Sequence, residues 1–207
     1  MLIRAFRFLW QSAQVIVDPA GFARSIGVQL GEGCRLFINR NTFGSEPYLV
    51  KIGSNCVIAH GTEFITHDGA VHQWRKSYPA DIVAPIIIGN DVYIGANVTF
   101  LSGTIVGEGC IVGACSLVKG EFPPRTVIAG NPARARGSVE DFWQRNRHKV
   151  HPTFGLKPDE KRAYFLKYYE NQLSGPSSTP HSGSVAQANR SSTDSLSTES
   201  SPECAAR

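Results

Sequence analysis

Two histidines five residues apart, His67 and His72 in the stretch FITHDGAVHQW over residues 64–74, are the side chains best suited to chemistry. A neutral imidazole titrates near pH 6.5, so either ring can take a proton from an attacking hydroxyl at neutral pH. The same pair could instead ligate a metal. Zinc in a catalytic site needs three protein ligands and an open position, so this pair alone would not suffice. His60 itself falls where a surface residue is expected.

These histidines stand in an interruption of a regular pattern. Counting in sixes from Ile52 gives Ile58 and Phe64, and beyond the interruption Ile88, Ile94, Phe100, Val106, Val112 and Val118. All nine are bulky and apolar. The second place of the unit is Gly or Ala at Gly53, Ala59, Gly89, Gly95, Gly107 and Gly113, and the fifth is small or β-branched at Cys56, Thr62, Val92, Val98, Thr104, Cys110 and Ser116. Weaker units begin at Leu30 and Leu36, and another at Ile128. A period of six matches neither an α-helix nor a free hairpin. It fits a short strand and a corner repeated three times per turn, giving an all-β solenoid with the aliphatics inside and the small residue at the bend. Between Thr66 and Pro85 the polar and aromatic residues abandon the pattern, and a loop leaving a rigid column is a common place for function.

A stacked column needs caps. Residues 1–25, beginning MLIRAFRFLWQSAQVIV, read as an amphipathic helix closing one end, with weak membrane-surface contact as the minor alternative. Over 137–173 two short helices are expected, the first capped by Ser138 with Asp141 three residues on, the second carrying Phe165, Tyr168 and Tyr169 as its apolar side. From 174 to 207 the chain is mostly Ser, Thr, Pro, Gly and Asn without an aromatic residue, too polar to build a core. The solenoid is thus assigned to 26–136, with its loop at 66–85.

The net charge of +4 is mild, and the loose basic group Arg134, Arg136, Arg145, Arg147, His148 and Lys149 is too sparse for a duplex nucleic-acid stripe. Cys34, Cys56 and Cys110 each follow an apolar repeat residue by four, and Cys115 lies close by; all read as small buried residues without a disulfide framework, which points to the cytoplasm.

The run IGNDVYIGANVTFLSGTIVGEGCIVGACSLVKGEFPPRTVIAGNPAR over residues 88–134 resembles the hexapeptide-repeat acyltransferases, and NTFGSEPYLVKIGSNCVIAHGTEFITHDG resembles the branch linked with capsule and O-antigen acetylation. This resemblance implies a left-handed parallel β-helix with short terminal helices, a homotrimer with sites between subunits, acetyl-CoA as cosubstrate, no required metal, and a sugar or glycan acceptor. It implies His67 as the general base. Glu63, Asp68 or a backbone carbonyl remain open as the group holding its other ring nitrogen. Donor contacts are implied at Tyr93, Ala96, Ala114, Lys119 and Arg134, where Lys119 stands one place from the usual lysine. Asn41, Glu46, Asp68, His72, Trp74 and Arg75 are the candidates on the acceptor side. Xenobiotic acetyltransferases of the streptogramin and chloramphenicol type share these features, and the His67–His72 spacing matches the zinc-binding γ-class carbonic anhydrases built on the same column.

Overall fold

The computed structural model describes residues 14–74, 76, 77 and 80–174. Within it, the six-residue pattern becomes three parallel sheets. One holds Gln29–Leu30, Val50–Ile52, Ile86–Ile88, Ile105–Val106 and Glu121–Phe122; a second holds Arg35–Leu36, Val57–Ile58, Tyr93–Ile94, Ile111–Val112 and Thr126–Gly130; the third holds Glu63–Ile65, Thr99–Leu101 and Leu117–Val118. The chain visits the three in rotation. Phe100 lies beside Val118 and Ile94 beside Val112, eighteen residues on in each case, which is three units of six. The nine periodic residues are at most 2 % exposed and form the core. Three aromatic rings stack through it, Phe43 on Phe64 at 5.2 Å between centroids and Phe64 on Phe100 at 5.0 Å. Phe43 thereby occupies the place of a third-sheet residue in the first turn.

The small residue in the second place has a different cause from the one expected. A Cβ on Gly53, Gly89 or Gly95 would lie 2.6 Å from a backbone nitrogen of the next turn, and none of the three has positive φ. These glycines let the turns approach; they do not bend the chain. The bend falls two residues later, where Asn55, Asp91, Asn97 and Cys115 take left-handed backbone at φ of 55 to 59° and Gly33, Gly61, Gly103 and Gly109 fill the equivalent corners. Cys115 is therefore an exposed corner residue, not a buried one. Residues in the fifth place are buried and tie the turns together when polar: Thr104 Oγ1 donates to Leu101 O (2.6 Å) and Val118 O (3.1 Å), and the Cys56 thiol donates to Gly89 O at 3.2 Å. Burial pushes the Cys56 thiol up to about 11.

At the interruption, Phe64 pairs with Phe100, thirty-six residues later, so the excursion adds one full circuit of eighteen residues and leaves the frame unchanged. At the far end Val106 pairs with Phe122 and Val112 with Ile128, sixteen residues on, because the corner after Val118 is two residues shorter. That contraction puts Ile128 out of frame, and Gly120 takes it at φ +104°.

Helix α1 (Pro19–Ser25) begins at Asp18, whose side chain accepts from Gly21 N, and buries Phe22 and Ala23. Of the expected N-terminal helix, residues 14–17 are helical and residues 1–13 lie outside the described set. After Thr126–Gly130 the chain reverses into an antiparallel strand, Ala133–Ser138, and helix α2 (Val139–Asn146) starts at Ser138, whose Oγ accepts from Asp141 N at 3.0 Å as the capping pattern predicts. The chain divides into two compact units, the first ending at Val150. Within the first unit, Val139 N donates to Arg125 O and Arg125 pairs with Glu140, tying α2 to the last turn.

In the second unit, helix α3 (Pro158–Tyr168) and the turn Glu170–Leu173 surround His151: its Nδ1 lies 3.1 Å from the Tyr164 hydroxyl, its Nε2 3.3 Å from that of Tyr169, and its ring packs edge-on against Phe165 and Tyr168. The polar tail beyond Ser174 lies outside the described residues. Among the described residues no helix is long and apolar enough to cross a membrane.

Candidate active site

The excursion leaves the column directly after the third-sheet strand Glu63–Ile65. Its neck is Thr66, whose carbonyl accepts from Ala84 N at 3.0 Å, followed by a two-residue antiparallel ladder pairing His67 with Val83 and Asp68 with Ile82. Beyond the ladder, Gly69–Trp74 forms a 3₁₀-helix whose start is held by Asp68 Oδ1 accepting from Ala70 N at 2.9 Å. The backbone of His67 is thus fixed on both sides.

Its ring is fixed by Glu46. Glu46 Oε2 lies 2.9 Å from His67 Nδ1 and accepts from Thr66 Oγ1 at 2.8 Å. Thr66 is buried, and its hydroxyl, with the His67 ring next in weight, holds the Glu46 carboxyl below its ordinary range. An ionised carboxylate has no proton to give, so Nδ1 must be the donor and the lone pair belongs to Nε2. Among the described residues nothing in the chain bonds Nε2, and the imidazole is 41 % exposed.

Glu63 and Asp68, weighed from sequence for the place at Nδ1, do not hold it. Glu63 is exposed on its strand and Asp68 is bonded to Ala70 N. Glu46, expected to meet the acceptor, is occupied by the imidazole instead. The signal that would have found it is the aromatic stack. Phe43 sits on Phe64, so the residue three after Phe43 stands beside the residue three after Phe64: FGSE against FITH.

His67 lines a pocket of about 210 Å³ with Ile65, Asp68, Leu101, Ser102 and Lys119. Ile65 is paired with Leu101 in the third sheet, and Lys119 directly follows Val118, the partner of Phe100; one column of outward residues therefore floors the pocket. Among the described residues Lys119 has no carboxylate partner, and it lines the pocket with its ammonium. The other expected site residues lie elsewhere. Tyr93 is half exposed on the second sheet, Ala96 O accepts from Cys115 N at the next corner at 2.9 Å, Ala114 is exposed beside Cys115, and Arg134 Nη1 donates to Ala133 O at 2.8 Å. Asn41 lines a separate hollow with Ile38, Arg40 and Glu63. His72 and Trp74 are exposed on the 3₁₀-helix, and Arg75 lies outside the described residues. Among the described residues no group of three or more His, Cys, Asp or Glu side chains is placed to hold a metal ion.

What this arrangement can do is move one proton at a surface pocket: a neutral imidazole with a fixed tautomer, backed by a carboxylate, facing space large enough for a hydroxyl and the reactive end of a donor.

Comparison with known proteins agrees in kind. Residues 85–120 match the family model described as bacterial transferase hexapeptide (six repeats). Protein CapG of Staphylococcus aureus is 43 % identical over 152 residues, covering 72 % of this chain and 88 % of CapG. Galactoside O-acetyltransferase of Escherichia coli is 32 % identical over 133 residues, covering 64 % of this chain and 63 % of the relative. Among solved structures, a galactoside acetyltransferase in complex with coenzyme A aligns over 73 % of this chain and 86 % of its own at 19 % identity and a TM-score of 0.46. A repeat of six, a family model matched within it, and a relative covered almost end to end lead to one assignment: the chain belongs to the hexapeptide-repeat acetyltransferases.

Proposed function

We propose that the chain transfers an acetyl group from acetyl-CoA to a hydroxyl of a sugar or glycan, with His67 as the general base. The observation that carries this reading is the Glu46–His67 pair, which leaves Nε2 as the free basic atom of a ring that lines a pocket. A thiolate leaves a thioester readily, so the protein's main task is the acceptor's proton. His67 Nε2 accepts that proton as the hydroxyl oxygen bonds to the acyl carbon, and returns it to the sulfur as the C–S bond breaks. Glu46 stabilises the imidazolium between the two steps. No acyl-enzyme is needed.

The remaining parts fit this frame. The rotation of short parallel strands is read as a left-handed parallel β-helix over 26–136 with a helical segment at each end. The pocket lies on the outside of the third sheet, lined by that sheet and by the start of the excursion, and in a homotrimer a neighbouring subunit would pack beside it. Asp68, His72 and Trp74 ride on the excursion and Arg75 follows them in sequence, so these are the residues proposed to meet the acceptor. Lys119, on the pocket floor, places a positive charge within the same space. The galactoside O-acetyltransferase among the sequence relatives supports a sugar acceptor and an acetyl donor.

The test is a transfer assay with labelled acetyl-CoA against sugars, nucleotide sugars and glycans, with chloramphenicol as the xenobiotic control. Transfer to a sugar hydroxyl that drops by a factor of ~10²–10⁴ in His67→Ala is the expected result. Undiminished activity in that variant removes His67 from the reaction, and transfer to chloramphenicol alone assigns the chain to drug acetylation.

A further inference from the structure

The pocket beside His67 is bounded by residues of three turns. Ile65 pairs with Leu101 in the third sheet, and Lys119 continues the register beyond Val118, the partner of Phe100. Strands Glu63–Ile65 and Leu117–Val118 flank Thr99–Leu101, so their backbones stand about 10 Å apart, twice the inter-strand spacing. His67 therefore reaches the pocket from the turn at one end and Lys119 from the turn at the other, with Leu101 and Ser102 between them. A volume of about 210 Å³ has room for roughly seven waters, so a group seated against the imidazole is also close to the ammonium. Among the described residues lining it, Ile65 and Leu101 are apolar, Ser102 is neutral and Asp68 is a carboxylate already accepting from Ala70 N. Lys119 alone brings a permanent positive charge.

We infer that Lys119 is a second catalytic residue: its ammonium donates to the thioester carbonyl oxygen and stabilises the negative charge that develops there during transfer. This rests on the transfer reading given above. In that reaction the acceptor hydroxyl stands within hydrogen-bond reach of His67 Nε2 and the acyl carbon beside the hydroxyl, so the carbonyl lies inside the pocket. As the hydroxyl oxygen bonds to that carbon, the C=O electron pair moves onto oxygen and the proton passes to Nε2. As the pair returns, the C–S bond breaks and the thiolate takes the proton from Nε2. Lys119 keeps its own proton throughout. A cation already in place lowers the barrier because the oxygen carries most charge in the transition state. Two other duties fit the lysine less well. The phosphates of CoA are separated from its thioester by the whole uncharged pantetheine arm, so a lysine beside the reacting centre is out of their reach. A permanently anionic group on the acceptor would meet Asp68 in the same pocket and Glu46 behind the imidazole, two carboxylates against one ammonium. The carbonyl oxygen, by contrast, becomes negative only as His67 becomes positive, so the site's net charge does not change.

The test compares the parent, His67→Ala, Lys119→Met and Lys119→Arg in thiol release from acetyl-CoA and from acetyl-pantetheine, with water, neutral sugars and uronic acids as acceptors. Lys119→Met should lower kcat on the order of 10²-fold with both donors and with every acceptor, water included. Its affinity for CoA, measured by calorimetry, should stay within about threefold of the parent's, and its melting should be unchanged. Lys119→Arg, which keeps the charge, should recover most of the loss. A loss confined to acetyl-CoA and accompanied by weaker CoA binding makes Lys119 a phosphate contact and overturns the proposal. A loss confined to uronic acids makes it an acceptor contact and does the same, as does a Lys119→Met variant as fast as the parent where His67→Ala is slow. A parent that releases thiol from neither donor, or a His67→Ala variant as fast as the parent, refutes the transfer reading itself and this proposal with it.

Discussion

Glu46 Oε2 stands 2.9 Å from His67 Nδ1 although twenty-one residues separate them, because Phe43 and Phe64 stack as equivalent residues of successive turns and each side chain follows its phenylalanine by three. Glu46→Gln preserves the volume but presents an amide that can donate as well as accept. The ring then loses its fixed tautomer and the charge that stabilises its protonated form. We expect kcat to fall by ~10²–10⁴, by analogy with the loss of the carboxylate in catalytic triads. The double variant with His67→Ala should be no slower than His67→Ala alone, since the two act as a unit. Steady-state kinetics of the four proteins checks this; additive losses would separate Glu46 from the imidazole.

Thr66 donates to the same carboxylate, and its bond is the first cause of the lowered Glu46 titration. A carboxyl with a folded value below the ordinary 4.5 contributes stability that is present above that value and lost as pH falls through the folded one. Replacing Thr66 by Val removes the donor, so the stability gap between parent and variant should be constant from neutral pH down to about 4.5 and shrink below it. Urea denaturation across that range measures the gap, and one that widens in acid contradicts the assignment.

Two kinds of corner residue make opposite predictions. A Cβ at Gly95 would lie 2.6 Å from the backbone nitrogen of Ala114, which has no side-chain freedom with which to retreat. Gly95→Ala should therefore cost about 1–3 kcal/mol, as overpacking does. Asn97, two residues on, has φ +56°, so Asn97→Gly should be tolerated within about 0.5 kcal/mol. Thermal unfolding of both variants distinguishes stacking from bending as the role of the second place.

The excursion is closed at Thr66 and Ala84 and equals one circuit in length. Deleting residues 67–84 brings Phe64 and Ile88 to a spacing of six. The shortened chain should fold with the parent's far-ultraviolet circular dichroism and lose transfer completely. Loss of cooperative unfolding would mean that the column depends on the excursion.

The core was legible because burial acts on single positions at a fixed spacing: outside the excursion, each of the nine residues counted in sixes from Ile52 to Val118 is inside. Where the spacing changes, the sequence reading lapses. Phe43 lies seven residues after Leu36, so the period of six does not include it, and without it nothing in the spacing places Glu46 beside His67. Cys115 was grouped with Cys110 by residue type, but corner geometry exposes it. Glycine in the second place was legible as a requirement and misread as to cause, since a period shows where a small residue is needed and not which atom crowds it. His67 stands out in the sequence by its place after Phe64, whereas the residues that share its pocket, Leu101, Ser102 and Lys119, come from later turns that only the stacking register brings near.

An insertion that re-enters the stack without shifting a single neighbour is invisible to the scaffold around it. Mutational drift inside it is paid for in chemistry alone, so loops of other lengths and compositions, grafted between the same two ends, should retarget the enzyme while the spool beneath keeps its melting behaviour.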